Sequence, residues 1–271
     1  MRVRRPHLGA EGSQRTPSRE LRLPDFVIGG APRSGTTWLA ELLRRHPGVH
    51  MAGPTPPEPK FFLVDDEYRK GLRYYSERWF SAAPANAILG EKSANYLESS
   101  EAARRLARDL PHVRLVFCLR DPALRAWSNY RWSVANGLET CSFALALELE
   151  AEREAAYSGA QRYSRPFSYY SRGLYNQELA PYLDCFPREQ LLILRFESIL
   201  AEPPTAARRL HRFLGVVPRP EDARTLGAVN AAPVPVTGEA PEVVQGLRQR
   251  YRRANCELAA TLGAEFTWSE T

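Results

Sequence analysis

The feature that most constrains the fold is a short apolar run that leads through a glycine-rich loop into an amphipathic segment. Residues 25–30 read DFVIGG, and residues 36–45 carry apolar side chains at helical spacing, at Trp38, Leu39, Leu42 and Leu43. The run predicts a buried strand, and the spacing predicts a helix. Units of this kind assemble into parallel sheets that are covered by helices.

The alternation of strand and helix continues along the chain. We predict further strands at 87–90, 113–119 and 191–196. We predict helices at 99–109, from Asp121-Pro122 onward, from the last strand to about residue 214, and at 241–262 before Gly263. Only loop is predicted for 219–239. The fold class is therefore α/β, a mostly parallel sheet with helices on both faces.

Composition limits the number of domains and the kind of ligand. A chain of 271 residues, 44% of them hydrophobic, can bury one sizeable core. We predict a single domain over 23–271, preceded by a disordered basic arm at 1–22. The net charge is +6, and only Lys60, Lys70 and Lys92 of the 37 basic residues are lysines. This arginine-rich surface favours anionic ligands.

The cysteines and the hydropathy pattern predict a cytoplasmic protein. The four cysteines are far apart and form no CxxC pair, so neither a zinc site nor a disulfide framework is predicted. No apolar run approaches the roughly 20 residues of a membrane span. The N-terminus lacks the apolar core of a secretory signal. We therefore expect reduced thiols, no membrane partner and a cytoplasmic location.

The loop between the first strand and helix, GAPRSGTT at 30–37, is typical of an anion site. Its backbone N–H groups and the N-terminus of the helix form a cradle for phosphate groups. The pattern is similar to GxxxxGK[ST] of P-loop nucleotide triphosphatases, but Thr36 stands at the lysine position. An enzyme of that class would lose its contact to the β- and γ-phosphates. Arg33 supplies the cation of the loop instead.

A second candidate anion site follows the strand predicted at 113–119. Arg120 stands at its carboxyl end, where ligands of α/β sheets bind, and a guanidinium can bind phosphate through two hydrogen bonds. Ser128 adds a hydroxyl donor two turns into the adjoining helix. A local salt bridge between Arg120 and Asp121 is the alternative interpretation of this motif.

The two motifs together resemble those of the sulfotransferases that use 3′-phosphoadenosine 5′-phosphosulfate (PAPS). PRSGTT is similar to the family's 5′-phosphosulfate loop, and LRDP followed by AWSNY is similar to its 3′-phosphate-binding strand and helix. The resemblance implies a P-loop-type sheet, PAPS as cofactor and adenosine 3′,5′-bisphosphate as product. It also implies the cofactor-binding residues, which are Arg33, Ser34, Gly35, Thr36, Thr37, Trp38, Arg120 and Ser128.

Three further stretches are similar to the heparan sulfate type of sulfotransferase. They are EPKFF at 58–62, GEKSANY at 90–96 and the C-terminal residues 251–268. The resemblance implies that Glu58 is the general base and that Lys92, together with Arg33, supplies catalytic cations. It also implies that Lys60 lines the active site.

One stretch departs from that subgroup. Its cysteine-bridged hairpin should fall near 230–238, where this sequence reads NAAPVPVTG, without the cysteines, the lysine or the aromatic residue. The resemblance therefore favours a soluble, bacterial-like enzyme that sulfates a hydroxyl or amine of a small metabolite or glycan. The acceptor and the oligomeric state stay open.

Two other functions would also explain a basic chain with an anion loop. A P-loop nucleotide kinase or NTPase requires a loop lysine, which is absent. A basic nucleic-acid-binding module would show zinc-finger spacing, an RNA-binding aromatic motif or a basic-region heptad pattern, and none occurs in the sequence. The sequence therefore favours the sulfotransferase and predicts no nucleic-acid partner.

The sequence also predicts that no metal ion is required, because it contains no cluster of ligands with metal-binding spacing. Sulfuryl transfer should continue at its full rate in EDTA, measured as release of adenosine 3′,5′-bisphosphate. A complete loss of activity that magnesium restores would favour the kinase instead.

Overall fold

Five parallel strands form the centre of the computed structural model, which describes residues 21–53, 57–227 and 240–268. The strands are β1 (Phe26–Gly30), β2 (Val49–Met51), β3 (Ile88–Lys92), β4 (Arg114–Leu119) and β5 (Leu191–Arg195). Their order across the sheet is β2-β3-β1-β4-β5, and every neighbouring pair is parallel. The predicted parallel α/β sheet is therefore confirmed, and β1 lies at its centre.

Helices connect the strands. In the described part of the chain they are α1 (Thr36–Arg44), α2 (Asp65–Tyr68), α3 (Gly71–Phe80), α4 (Ser100–Asp109), α5 (Pro122–Ala135), α6 (Phe143–Glu148), α7 (Glu150–Ala155), α8 (Gln161–Ser164), α9 (Tyr175–Cys185), α10 (Phe196–Ala201), α11 (Pro203–Leu214), α12 (Glu221–Arg224) and α13 (Ala240–Leu262). Short 3₁₀ turns occur at Tyr96–Glu98, Ser171–Gly173, Arg188–Gln190 and Ala264–Thr267. Within these ranges, no helix is both long and apolar enough to cross a membrane.

Both faces of the sheet are buried by helices. Alternate strand residues point to opposite faces. One face, which includes Val27 and Phe117, packs against α3, α4 and α9, whereas the other, which includes Ile28 and Val116, packs against α1 and α11. All four of these side chains are completely buried. Each such side chain stabilises the fold by about 1.5–3 kcal/mol relative to an exposed one, so the sheet is held from both sides as predicted.

The N-terminus of α5 is tied to the C-terminal helix. One carboxylate oxygen of Asp121 accepts hydrogen bonds from the N–H groups of Ala123 and Leu124, which caps α5. The other oxygen accepts from Arg248 of α13, at 2.9 Å. The cap predicted at Asp121-Pro122 is therefore confirmed. The ion pair fixes the start of α5 next to the end of β4.

The predicted strands and helices agree with the observed ones to within about two residues at most ends. Sequence patterns did not reveal β2, which has three residues, or the short helices at 65–80 and 143–185. The segment 219–239, predicted as loop, includes the short helix α12, and its residues 228–239 lie outside the described part. The predicted arm at 1–22 lies almost wholly outside it as well.

Gly90 should be essential for the sheet to pack. A Cβ atom at this position of β3 would lie 2.1 Å from Cζ of Phe26, a completely buried ring on β1. We expect Gly90→Ala to lower the free energy of unfolding by about 1–3 kcal/mol, as overpacking does, measured by denaturant titration.

Gly246→Ala is the matched control for that measurement. Gly246 is exposed in α13, and a Cβ atom there would meet no atom within 4 Å. Because alanine is the better helix former, this variant should gain up to about 1 kcal/mol. Equal stabilities of the two variants would contradict the close contact between β1 and β3.

Candidate active site

The strand order brings three candidate segments to one edge of the sheet. The phosphate loop follows β1, Lys92 ends β3, and Arg120 follows β4. Because β3 and β4 flank β1 and all three strands are parallel, their carboxyl ends lie side by side. Ligands of α/β proteins bind at this edge. Lys92 and Arg120 therefore lie on opposite sides of the loop.

Two residues of the loop have a positive φ, and only one of them is a glycine. Gly35 has φ of 88° at the N-cap of α1, and a Cβ atom there would lie 2.8 Å from the ring of Phe196. Arg33 also has a positive φ, of 67°, although it is not a glycine. Such conformations cost about 1–3 kcal/mol and concentrate at ligand clamps. Because Gly35 has no side chain to cap α1, the first N–H groups of this helix are suited to hold an anion.

The remaining loop residues are packed into the protein. Ser34, Thr36 and Trp38 are buried. The indole N–H of Trp38 donates to the carbonyl oxygen of Leu226 at 3.3 Å. The backbone N–H of Ala31 donates to the carbonyl oxygen of Cys118 at 2.9 Å. The first bond joins α1 to the chain after α12, and the second joins the loop to β4. The loop is therefore held on two sides.

Arginine side chains crowd the edge between β1 and β4. Nε of Arg33 lies 3.4 Å from the hydroxyl oxygen of Ser128, and Nη1 of Arg120 lies 3.5 Å from the carbonyl oxygen of Arg33. Burial lowers the pKa of the Arg33 guanidinium to about 10, and the charges of three other arginines act in the same direction, those of Arg120, Arg125 and Arg131. Burial also lowers the pKa of Arg120. A bound anion would relieve this repulsion.

Arg125 and Arg131 did not emerge as candidates from the sequence. They lie three residues before and three residues after Ser128 on α5, and that spacing places all three on one helix face. This periodicity was the signal that could have found them. Arg125 is completely buried, and its Nη2 atom donates to the carbonyl oxygen of Tyr169. Its buried guanidinium adds positive charge to an arginine cluster that consists of Arg33, Arg120, Arg125 and Arg131.

The alternative interpretation of the motif at 119–130 was a local salt bridge between Arg120 and Asp121. The structure shows other partners for both side chains. The Asp121 carboxylate bonds the N-terminus of α5 and Arg248. The guanidinium of Arg120 instead stacks over the ring of Phe196, with 5.0 Å from its carbon to the ring centroid. Its Nη1 atom is directed to the loop, at the carbonyl oxygen of Arg33, in line with a role in anion binding.

On the other side of the loop, Glu58 and Lys92 form an ion pair. Nζ of Lys92 lies 2.5 Å from one carboxylate oxygen of Glu58 and 3.4 Å from the hydroxyl oxygen of Thr37. The N–H of Ala94 donates to the second oxygen of Glu58, at 3.1 Å. The side chains of Glu58 and Lys92 are 17% and 7% exposed. A proton acceptor and a cation are thus fixed beside the first turn of α1.

The loop that carries Glu58 is attached to the chain after β3. The N–H of Lys60 donates to Oγ of Ser93 at 2.8 Å, and the N–H of Phe62 donates to the hydroxyl of Tyr96 at 3.2 Å. Phe61 and Phe62 are almost completely buried. These contacts hold irregular backbone in a fixed position, so Glu58 does not depend on a helix or strand for its placement.

The structure thus brings every candidate site residue from the sequence to this edge. Their assignment to cofactor binding and catalysis stays a prediction. In the described ranges there is no group of three or more His, Cys, Asp or Glu side chains that could hold a metal ion. The four cysteines, all of which lie in these ranges, are free thiols.

The comparison with protein families identifies the class. The family model for the sulfotransferase domain matches residues 23–226, three quarters of the chain. The chain therefore belongs to the sulfotransferase family, whose sulfuryl donor is PAPS. The two motifs that resemble this family, at 30–37 and 119–130, both lie within the match.

Within the family, the chain is similar to heparan sulfate enzymes. It is 32% identical over 213 residues to human bifunctional heparan sulfate N-deacetylase/N-sulfotransferase 2, covering 76% of this chain and 23% of that protein. It is 29% identical over 269 residues to mouse heparan sulfate glucosamine 3-O-sulfotransferase 3B1, covering 91% of this chain and 65% of that protein. The chain thus spans less than two thirds of the length of either relative.

Solved structures agree with the family. A sulfotransferase from Alicyclobacillus acidocaldarius superposes with a TM-score of 0.72 at 25% identity, over 89% of this chain and 96% of that one. A mouse sulfotransferase complexed with PAP has a TM-score of 0.52 at 17% identity, over 89% of each chain, and this likeness concerns the fold alone.

Arg120→Ala tests the anion site between β1 and β4. If Arg120 binds the 3′-phosphate, the protein should bind adenosine 3′,5′-bisphosphate far better than AMP, and the variant should lose about 1.5–3 kcal/mol of that preference. Calorimetric titration with both nucleotides measures it. Arg104→Ala removes an exposed arginine that pairs with Glu101 and serves as the control. Equal affinity of the unmodified protein for AMP and the bisphosphate would contradict the assignment of Arg120 to the 3′-phosphate.

Proposed function

We propose that this protein transfers a sulfuryl group from PAPS to a hydroxyl or amine group of a glycan or small metabolite, with Glu58 as the general base. The observation that carries the proposal is the joint placement of two sites at one sheet edge. The arginine cluster around Ser128 suits a phosphate, and the Glu58–Lys92 pair suits proton and charge transfer. The loop after β1 lies between them.

The residues present fit a donor with two separated anionic groups. The N-terminus of α1, with Arg33, Thr36 and Thr37, suits the 5′-phosphosulfate, which supplies the transferable sulfuryl group. Arg120 and Ser128 suit the 3′-phosphate. The lowered pKa of Arg33, caused by burial and by neighbouring arginines, supports the fit, because a cluster of like charges is stabilised by an anion.

Glu58 would accept the proton of the acceptor. A hydroxyl group is a weak nucleophile until its proton is removed during attack, and a positioned carboxylate can remove it. Two contacts orient the Glu58 carboxylate, one from Lys92 and one from the N–H of Ala94. The carboxylate is partly exposed, so an acceptor can reach it. Its loop is held by bonds to Ser93 and Tyr96.

Lys92 and Arg33 would stabilise negative charge that develops on the departing side of the reaction. Lys92 already contacts both Glu58 and Thr37, so it links the base to the first turn of α1. Fixed cations in a shielded site stabilise a transition state more than mobile water does. The base and the cations therefore have opposite tasks, and Lys92 lies 2.5 Å from Glu58.

The relatives support the proposed acceptor class. One is named an N-sulfotransferase and the other a 3-O-sulfotransferase of heparan sulfate, so amines and hydroxyls of a glycan both occur among their acceptor groups. The stretch at 230–238, where this sequence departs from the heparan sulfate type, lies outside the described residues. Because its sequence lacks the cysteines, the lysine and the aromatic residue of that type, the acceptor need not be a long polysaccharide. A cytoplasmic location stays a prediction.

Calorimetry separates the proposal from its two alternatives. A sulfotransferase should bind adenosine 3′,5′-bisphosphate well and ATP weakly. A P-loop kinase should prefer ATP, and a nucleic-acid-binding module should bind a mixed oligonucleotide with a steep dependence on salt concentration. Tight binding of ATP or of the oligonucleotide, without binding of the bisphosphate, would overturn the proposed function.

Glu58→Gln tests the general base. Glutamine keeps the shape of the side chain but cannot accept the proton, so turnover should fall by roughly 100-fold or more. Affinity for the bisphosphate should stay nearly unchanged. Glu67→Gln changes a carboxylate that pairs with Lys70 on the surface, and this control should keep normal turnover. Near-normal turnover of Glu58→Gln would show that another group takes the proton.

A further inference from the structure

Next to Lys92 in β3 lies a carboxyl group that the proposed function does not use. Glu91 is completely buried, and it pairs in register with Val27 of the central strand. Because side chains alternate along a strand, Glu91 points to the face opposite Lys92. A completely buried carboxyl group is costly unless it is paired or neutral. Its presence one residue from the catalytic cation therefore requires an explanation.

The surroundings of Glu91 are tyrosines and aromatic rings. The hydroxyls of Tyr75 and Tyr96 are close enough to influence its charge, as is the Glu58 carboxylate. Both hydroxyls lie near enough to interact with the Glu91 carboxyl group as hydrogen-bond partners. Neither oxygen of Glu91, nor the hydroxyl of Tyr75, makes a hydrogen bond of regular geometry among the described residues. No described arginine or lysine lies within ion-pair distance of Glu91 either, since Lys92 pairs with Glu58.

The same tyrosines support the loop that carries Glu58. The hydroxyl of Tyr96 accepts the hydrogen bond from the N–H of Phe62. The ring of Tyr75 stacks on that of Phe61, with 4.4 Å between centroids. Glu91 therefore neighbours the two tyrosines that support the loop. A change of charge at Glu91 would act on the groups that fix the position of Glu58.

We propose that Glu91 is a positioning residue whose carboxyl group, in its neutral form, holds Tyr75 and Tyr96 where they support the Glu58 loop. The inference rests on the proposed function, because the loop matters for turnover only if Glu58 takes part in the reaction. Ionised Glu91 would place a second negative charge near Glu58 without a cation to balance it. The loop would then shift, and the general base would lose its alignment with the acceptor.

Protonation makes this arrangement dependent on pH. Burial raises the pKa of Glu91 to about 8, against the lowering effect of the Tyr96 and Tyr75 hydroxyls, and the charge of Glu58 adds to the increase. Burial also raises the pKa values of Tyr75 and Tyr96 well above their ordinary value. The groups that face Glu91 are Tyr75 from α3, Tyr96 from the turn after β3 and Glu58 from the loop. Near pH 8, Glu91 therefore changes its charge, whereas Tyr75 and Tyr96 stay neutral.

Kinetics of two variants test the positioning role. Glu91→Gln is neutral and has the same shape, so it should keep the turnover of the unmodified protein at pH 7. Glu91→Ala leaves a gap beneath the tyrosines, and turnover should fall by about 10- to 100-fold, the effect of a small misalignment. Binding of adenosine 3′,5′-bisphosphate should be unchanged in both. A loss in Glu91→Gln as large as in Glu91→Ala would overturn the proposal.

A pH profile distinguishes positioning from simple packing. Turnover of the unmodified protein should fall above pH 8, by about tenfold per pH unit as the neutral form is depleted. Glu91→Gln should lack this fall, because glutamine does not ionise. Any decline that Arg33 causes would be the same in both proteins. An identical alkaline decline in the two proteins would contradict the proposal.

Thermal unfolding provides a measurement that does not depend on activity. The folded pKa of Glu91 lies above the ordinary value of about 4.3 for glutamate. Between these two values the folded state keeps a proton that the unfolded state releases, so stability falls as pH rises through this range and levels off above pH 8. The melting temperature of the unmodified protein should therefore fall relative to Glu91→Gln between pH 5 and pH 8.

The two measurements separate failure of the inference from failure of the proposed function. If the pH-dependent difference in melting temperature is present but no acceptor is sulfated, the protonation of Glu91 stands and the proposed function fails. If sulfation occurs and the difference in melting temperature is absent, Glu91 is ionised in the folded protein and the inference is wrong.

Discussion

The pairing of β1 with β3 on one side and β4 on the other is the constraint on which the rest of the structure depends. Only this order sets the phosphate loop between Lys92 and Arg120. The pairing requires close approach of strands and rings. Gly90 leaves space for the ring of Phe26, and Gly29 leaves space for Phe117, whose Cε1 atom would lie 2.7 Å from a Cβ atom there. The pairing of β1 with β3 and β4 therefore both packs the core and assembles the site.

The two halves of the site differ in their electrostatic balance. Glu58 and Lys92 neutralise each other, so their positions are fixed by attraction within the protein. The arginines around Ser128 repel one another, and burial adds to the cost of their charge. Such an arrangement reduces stability unless an anion is bound. The repulsion is a physical reason for strong binding of a phosphate, because the free energy that it costs is recovered in the complex.

The catalytic candidates also differ in how they are held. Lys92 lies on a strand of the sheet, whereas Glu58 lies on irregular backbone. That backbone is fixed by hydrogen bonds to Ser93, Ala94 and Tyr96, and by two buried phenylalanine rings. Because all of these partners follow β3, the chain segment that carries the cation Lys92 also holds the base Glu58. The buried carboxyl group of Glu91 lies in the same segment, so its charge acts on the base through side chains rather than through contact with the reactants.

Local patterns in the sequence were sufficient to predict the parallel sheet, because β1, β4 and β5 are continuous apolar runs and each long helix has its own periodicity. Strand β2 and the short helices at 65–80 and 143–185 were not predictable, since elements of three to eleven residues take their stability mainly from tertiary packing. The sequence also determined the two anion motifs, because a glycine loop before a helix and an arginine after a strand have local chemical meaning. Only the tertiary structure decided that Arg125 and Arg131 join Arg33, that Glu58 pairs with Lys92, and that Glu91 is buried near Tyr75 and Tyr96, because these relations depend on how distant parts of the chain pack together.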